Sequence, residues 1–189
     1  MPTRQAPGDA AAVADRPDDL AGMFDRYARD LLRYCAQRVG SDLAEDVVAE
    51  TFLIAHEKRD RFDPKRGDLL PWLYGIATNV LRRHRRVERQ TLRTLARVGA
   101  ELKDTDGVES GERRSVERLD AARLVGRVGR ALAALPRRQR DVLLLYALAE
   151  LEYAEIAAAL SIPLGSVQSS LHRARTKIRA AIAETGGIR

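Results

Sequence analysis

Apolar side chains recur at three- and four-residue spacing over most of the chain, which predicts a series of amphipathic helices. The first helix is expected over about residues 18–39, and Gly40 would end it. Strict alternation of apolar and polar residues, the pattern of a strand, does not occur in the sequence. The chain is therefore expected to be all-α.

Residues with special backbone or capping chemistry predict where later helices begin. Ser41 and Asp42, with Glu45 three residues after Asp42, predict a second helix that opens with a capping box. Pro71 suits the first turn of a third helix, and Pro136 is expected to start another.

The helical pattern is strong in two blocks and weak elsewhere. Residues 1–17 are expected to form a disordered tail. Glycine and aspartate interrupt the pattern over residues 91–118, which predicts a flexible linker with at most partial helix. The sequence therefore predicts two small helical domains, over residues 18–90 and 119–185, joined by that linker.

The second block contains a pattern typical of a helix-turn-helix motif. A short break near Pro163 and Gly165 separates two helices, and Ser166 is expected to cap the second. In such motifs the second helix enters the major groove of DNA. The alternative is a plain pair of helices whose charged side chains are simply solvated.

The first block carries aromatic residues beside a run of arginines. Trp72, Tyr74 and Asn79 precede the arginines that begin at Arg82. Aromatic rings that stack on unpaired bases, with cations that hold the backbone, suit single-stranded nucleic acid. The alternative is that Trp72 anchors the core and that the arginines form a solvated helix end.

Charge and composition narrow the class of partner. The 189 residues include 33 Lys and Arg against 27 Asp and Glu, a formal net charge of +6, which favours a polyanionic partner but also suits plain solubility. The single cysteine, Cys35, excludes an internal disulfide and a cysteine-based zinc site. The absence of a membrane-spanning run and of a signal sequence predicts a cytoplasmic protein.

Motifs of catalysis are missing from the sequence. Its three histidines, His56, His84 and His172, are scattered, and neither an HExxH motif nor a phosphate-binding loop occurs. We therefore expect no enzymatic activity, no cofactor and no metal site. A nuclease with a DNA-binding tail is the enzyme alternative.

Five sequence segments, in their order, resemble a known family. DVVAETF at 46–52 and PWLYGIATN at 71–79 resemble the second conserved region of bacterial RNA polymerase sigma factors. LPRRQR at 135–140, YAEIA at 153–157 and GSVQSSLHRAR at 165–175 resemble the fourth region. At this chain length the pair is similar to the extracytoplasmic-function (ECF) group, which keeps only these two domains.

The resemblance implies a transcription initiation factor that directs core RNA polymerase to promoters. Asp46, Glu50 and Phe52 would bind the coiled coil of the polymerase β′ subunit. The linker would run toward the active-site channel, the second domain would touch the β flap, and an anti-sigma protein would be a further partner. A dimeric helix-turn-helix regulator without polymerase binding is the alternative, although it leaves the first block without a use.

The resemblance also implies two sets of DNA contacts. Flipped bases of the minus-ten element would be captured by the loop after the second helix and by the third helix. The minus-ten set is Arg61, Phe62, Lys65, Arg66, Trp72, Tyr74, Asn79, Arg82, Arg83, Arg85 and Arg86. The minus-thirty-five set is Ser166, Gln168, Ser169, Ser170, His172, Arg173, Arg175 and Lys177.

The chain departs from the family pattern at several positions. Ala49 replaces a common glutamine at the polymerase-binding helix, and Glu150 and Glu152 replace a glycine and a serine. In the recognition helix, Gln168 and Ser170 stand where a lysine and an arginine are common. Two cations are thereby lost near the groove, while Gln168 gains the ability to bond adenine N6 and N7.

Overall fold

The computed structural model describes residues 19–101 and 112–183, and this part of the chain is helical without a strand. The α-helices are α1 (Leu20–Val39), α2 (Ser41–Glu57), α3 (Leu69–Arg83), α4 (Arg85–Glu101), α5 (Glu112–Ala134), α6 (Arg137–Ala147), α7 (Tyr153–Leu160) and α8 (Leu164–Ala183), with 3₁₀ turns at Arg59–Arg61 and Pro64–Arg66. The all-α prediction is confirmed. The predicted tail at 1–17 lies outside the described residues.

The junction between α1 and α2 is a single glycine. Gly40 has φ +88°, a value that favours glycine, and its amide donates to the carbonyl of Ala36 at 2.9 Å, which closes α1. Because Ser41 is already helical, its side chain makes no capping bond and the predicted capping box is wrong. The positive φ at Gly40 turns the chain directly from one helix into the next.

Helices α1, α2 and α3 bury the apolar stripes that their sequences predict. Leu31, Val47 and Leu73 are fully buried where the three helices meet. Pro71 lies in the first turn of α3, where a missing amide proton costs nothing. Burial also raises the pKa of the Cys35 thiol to about 12, which keeps this side chain protonated and unreactive.

The structure describes both ends of the predicted linker. Helix α4 continues through Glu101 and α5 begins at Glu112, so the described parts of residues 91–118 are helical. The two helices run antiparallel and approach closely at Gly129, where an added Cβ would lie 3.0 Å from the amide nitrogen of Ala96. The Arg130 guanidinium also donates to the carbonyl of Ala96 at 3.2 Å. Tertiary packing thus outweighs the weak helical pattern here, while the domain boundaries themselves stay a prediction.

Helices α7 and α8 form the predicted helix-turn-helix. Ser161, with φ +52°, ends α7, and its turn directs the chain into α8 at Leu164. Ser166 is therefore two residues inside α8, so its predicted capping role is wrong. The sequence set the start of α8 too late because Pro163 stops the preceding turn and Leu164 can begin the helix at once.

The N-terminal half, α1–α4, packs closely on the C-terminal half, α5–α8. An added Cβ on Gly75 of α3 would lie 2.2 Å from the carbonyl oxygen of Ala159 in α7. Only a residue without a side chain permits that approach. One apolar cluster runs through both halves and includes Leu73 of α3, Leu145 of α6 and Ile156 of α7.

A group of five charged side chains, four buried and one partly exposed, joins the two halves and is here called the charge network. It consists of Arg38, Arg82, Glu88, Arg140 and Asp141. Arg38 donates from Nε to Glu88 at 2.7 Å and from its second terminal nitrogen to Asp141 at 2.8 Å. Arg140 donates to the other oxygen of Glu88 at 3.2 Å, and Arg82 donates to Asp141 at 3.2 Å.

Each carboxylate in the charge network accepts hydrogen bonds from two arginines, and at least one of these arginines belongs to the opposite half. Glu88 of α4 bonds Arg38 of its own half and Arg140 of the other. Asp141 of α6 bonds Arg38 and Arg82, both from the N-terminal half. Buried ion pairs contribute little net stability, but removing one partner leaves a costly unpaired charge. The charge network therefore specifies how the two halves fit together.

Candidate nucleic-acid interface

The predicted minus-ten loop forms one wall of a cleft. The ring centroids of Phe62 and Trp72 lie 5.4 Å apart, and Trp72 is only partly buried. The cleft has a volume of about 630 Å³, and its opposite wall comes from the turn of the helix-turn-helix, from Ala157 to Pro163. An aromatic pair that lines a cleft suits stacking on an unpaired base once the opposite wall has moved away.

The same loop carries cations close to the aromatic pair in sequence. Arg61 and Lys65 are exposed, and Arg61 lines the cleft. The Asp63 carboxylate accepts from the Lys65 amide at 3.0 Å and thereby fixes the turn at Pro64. For Arg66 the structure describes the backbone in that turn, and its side chain lies outside the described part.

Tyr74 is a core residue, and its predicted contact with DNA is wrong. Its side chain is 1% exposed, and its ring packs edge-on against Tyr34 with centroids 5.2 Å apart. Burial raises the pKa of Tyr74, which keeps the phenol neutral. Tyr74 lies only two residues from Trp72, so helical geometry turns it to the opposite face of α3.

The arginines at the α3–α4 junction form two groups, one exposed without an ion pair among the described residues and one held in ion pairs. Arg85 and Arg86 are exposed. Arg82 belongs to the charge network, although it also donates to the Asn79 side-chain oxygen at 2.8 Å. Arg83 pairs with Glu50 of α2 across the surface. That exposed ion pair contributes little stability, so both groups stay available to other partners.

The outer face of α8 presents most of the predicted minus-thirty-five residues. Gln168, His172, Arg173 and Lys177 are exposed, and Ser166 and Ser169 are partly buried. Ser170 is 5% exposed because it lies on the inner face beside Leu171 and Ala174, so its predicted contact with DNA is wrong.

Arg175 is held by two tyrosines. Its guanidinium lies 4.5 Å from the ring centroid of Tyr146 and donates to the hydroxyl of Tyr153 at 3.4 Å. A cation stacked on an aromatic face loses part of its freedom but keeps its charge. The sequence predicts that Arg175 contacts DNA. It gives no sign of the two tyrosines that orient the Arg175 guanidinium.

On the predicted polymerase-binding face, the exposed apolar side chains are not the one that the sequence led us to expect. Asp46 is exposed and Glu50 is partly exposed, whereas Phe52 is 3% exposed and packs its ring 5.2 Å from that of Phe24. The predicted contact through Phe52 is therefore wrong. Phe24 and Leu53 are 47% and 58% exposed, and these are the apolar groups that this face offers. The exposure of Leu53 follows from helix phase, because Leu53 lies three residues after Glu50 and therefore on the same face of α2.

Two other classes of site have no support within the described ranges. Among residues 19–101 and 112–183, acidic, histidine and cysteine side chains form no group of three that could hold a metal ion. No helix in this part of the chain combines the length and apolar character that crossing a bilayer requires.

Comparison with known proteins shows which family regions the two halves correspond to. Residues 23–91 match the model of sigma-70 region 2, and residues 126–178 match that of sigma-70 region 4. The RNA polymerase sigma factor CnrH of Cupriavidus metallidurans is 34% identical over 72% of this chain and 71% of its own length. The ECF sigma factor SigW of Bacillus subtilis is 29% identical over 86% of this chain and 88% of its own.

Solved structures show the same fold. CnrH in complex with the cytosolic domain of CnrY aligns with a TM-score of 0.58 at 22% identity, over 93% of this chain and 95% of that one. The sigma factor RpoE of Bartonella quintana, in complex with the anti-sigma factor NepR, aligns with a TM-score of 0.55 at 22% identity, over 89% of this chain and 99% of that one. The two matched regions, their order and the sequence relatives show that the chain belongs to the ECF family of RNA polymerase sigma factors, which direct core polymerase to promoters.

Proposed function

We propose that the exposed groups described above divide promoter recognition between the two halves. The Phe62 and Trp72 rings capture unpaired minus-ten bases, while Arg61, Arg85 and Arg86 hold the backbone. The outer face of α8 reads the minus-thirty-five element. The open aromatic pair beside exposed cations is the observation that carries this assignment.

Polymerase binding is assigned to the surface formed by α1 and α2. Asp46 and Glu50 supply negative charge beside the exposed apolar side chains of Phe24 and Leu53. This combination suits a basic amphipathic partner such as the β′ coiled coil. We further propose a cytoplasmic factor without catalytic activity, held by an anti-sigma protein as RpoE of Bartonella quintana is in its complex with NepR.

The closed arrangement of the two halves has to open on a promoter. Elements at minus ten and minus thirty-five lie about 25 base pairs apart, or roughly 85 Å at 3.4 Å per pair. A compact body of this size has a radius of gyration of about 16 Å and a diameter of roughly 40 Å. The closed chain therefore cannot contact both elements, and α7 lies across the cleft that the minus-ten bases would enter.

Strand opening should require core polymerase. Each stacked step costs on average about 1.4 kcal/mol to break, whereas one base on an aromatic ring returns roughly 1–3 kcal/mol. Two captured bases cannot hold open about one turn of DNA. We expect permanganate to modify minus-ten thymines only when both this chain and core polymerase are present, and stable opening by the chain alone would contradict the proposal.

Gln168 is expected to read one base pair. Its exposed amide on α8 can bond adenine bidentately, so Gln168→Ala should lose about 1–3 kcal/mol of discrimination at a single position. The holoenzyme should be tested against a set of minus-thirty-five sequences with each base varied in turn. A uniform loss over all sequences would argue against this role.

Arg179, on the same helix, is the comparison for Gln168. It is exposed and lies further along α8, where contact with phosphate is expected. Arg179→Ala should weaken binding equally for all sequences and reduce the slope of log affinity against log salt by about 1. An altered base preference without a change in salt slope would reverse the assignment.

A further inference from the structure

A second cavity lies on the seam between the two halves, apart from the Phe62–Trp72 cleft and from the outer face of α8, and it shares Arg85 with the proposed minus-ten contacts. Its volume is about 240 Å³, and its walls come from α1, α3 and α4 on one side and from the α5–α6 junction on the other. That volume is below the range of about 300–1,000 Å³ that is typical of pockets for drug-sized ligands. The cavity therefore suits a small ligand, or one part of a larger ligand.

The walls of the cavity are strongly cationic. Six guanidinium groups line it, and only two carboxylates, Glu88 and Asp141, oppose them. The six arginines are Arg38, Arg82, Arg85, Arg89, Arg137 and Arg140. Both carboxylates are already occupied by ion pairs of the charge network. The cavity thus carries four positive charges in excess.

Several of these donors lack a partner. Arg85, Arg89 and Arg137 are exposed at the cavity, and none of them pairs with a carboxylate among the described residues. Arg140 is buried, and its Nε has no hydrogen-bond partner in the described structure. A buried unsatisfied donor is uncommon in folded proteins, and it adds to the excess of hydrogen-bond donors around this cavity.

The beginning of α6 adds to the same wall. Pro136 and Arg137 line the cavity, and α6 begins there without a side-chain cap. The free amides and the dipole at a helix N-terminus favour an anion. Two independent features, the unpartnered arginine donors and the uncapped helix, therefore select the same chemical class of ligand.

We propose that this seam cavity binds a small phosphate anion of the diphosphate type and that its occupation favours the closed arrangement of the two halves. Planar guanidinium groups match phosphate oxygens in pairs. Arg85 and Arg89 belong to the N-terminal half and Arg137 and Arg140 to the other, so a bound diphosphate bridges them. A ligand that binds only the closed state shifts the equilibrium toward that state.

Free pyrophosphate and the diphosphate group of a nucleotide share this chemistry. Calorimetric titration of the full chain with pyrophosphate, and in parallel with adenosine diphosphate and adenosine, separates the two sources. Pyrophosphate at constant ionic strength should bind at one site per chain. Tighter binding of adenosine diphosphate would identify a nucleotide as the preferred source, and binding of adenosine alone would overturn the proposal.

Single arginine variants test the location of the site. Arg89→Ala and Arg137→Ala should each weaken pyrophosphate binding about tenfold, which corresponds to about 1.4 kcal/mol. Arg93→Ala is the matched control, because Arg93 is an exposed arginine on α4 outside the cavity. Equal weakening in all three variants would show a general charge effect and overturn the proposal.

Amide hydrogen exchange tests the effect on the two halves. Pyrophosphate should slow exchange both in α4 around Arg85 to Arg89 and in the first turn of α6. Protection of one side only would contradict bridging. The two proposals share Arg85, but their failures are distinguishable: a chain that fails to bind pyrophosphate but still directs polymerase would refute the seam site alone.

Discussion

Glu88→Ala should lower the free energy of unfolding by about 3–5 kcal/mol, because it removes one partner from a buried ion-pair group. The Glu88 side chain is 4% exposed and accepts hydrogen bonds from Arg38 and Arg140. Without it, Arg140 keeps no acceptor within the described residues, and Arg38 keeps only Asp141 and the Tyr34 hydroxyl. Urea denaturation of the full chain measures the change.

Two further variants make that result specific. Glu88→Gln preserves shape but removes the charge, so it should fall between the parent chain and Glu88→Ala. Glu57→Ala removes an exposed glutamate of α2 and should change the stability by no more than about 0.5 kcal/mol. A loss below about 1 kcal/mol for Glu88→Ala would mean that the charge network does not hold the halves together.

Gly75→Ala should separate the two halves without harming either one. The new Cβ would lie 2.2 Å from the Ala159 carbonyl oxygen, roughly 1 Å or more inside van der Waals contact. Within α3 itself, alanine is favoured over glycine by about 1 kcal/mol. We therefore expect helix content to persist while α7 leaves α3.

Small-angle X-ray scattering measures this separation directly. The parent chain should give a radius of gyration near that of a compact body, and Gly75→Ala a clearly larger one. Gly165→Ala serves as the control, because an added Cβ there meets no atom within 4 Å. Identical scattering from the parent and Gly75→Ala would show that the α3–α7 contact does not maintain the closed arrangement.

The sequence predicts the helices of this protein better than the faces they present. Hydrophobic periodicity located α1 to α3 and the helix-turn-helix, because a 3.6-residue repeat is a local signal. The resemblance to sigma factors, and not the periodicity, placed Phe52, Tyr74 and Ser170 on functional surfaces, although each lies toward the interior. Neighbouring residues on a helix differ by about 100° in direction, so a motif that spans one turn includes both inward and outward positions.

The arrangement of the two halves could not be predicted from local patterns. The Arg38 and Asp141 side chains that meet in the charge network are 103 positions apart in sequence. The predicted linker is helical in its described parts because α4 and α5 pack against each other near Gly129, a contact that composition does not reveal. Long-range packing therefore decides both the seam and the cavity on it.

Run-off transcription with purified bacterial core RNA polymerase on a library of genomic fragments tests the central claim most directly. The chain should direct initiation to a set of sites that share a minus-ten and a minus-thirty-five element, and Asp46→Lys should reduce this activity strongly while leaving the fold intact. Start sites identical to those of core polymerase alone, or full activity in Asp46→Lys, would contradict this account of the protein.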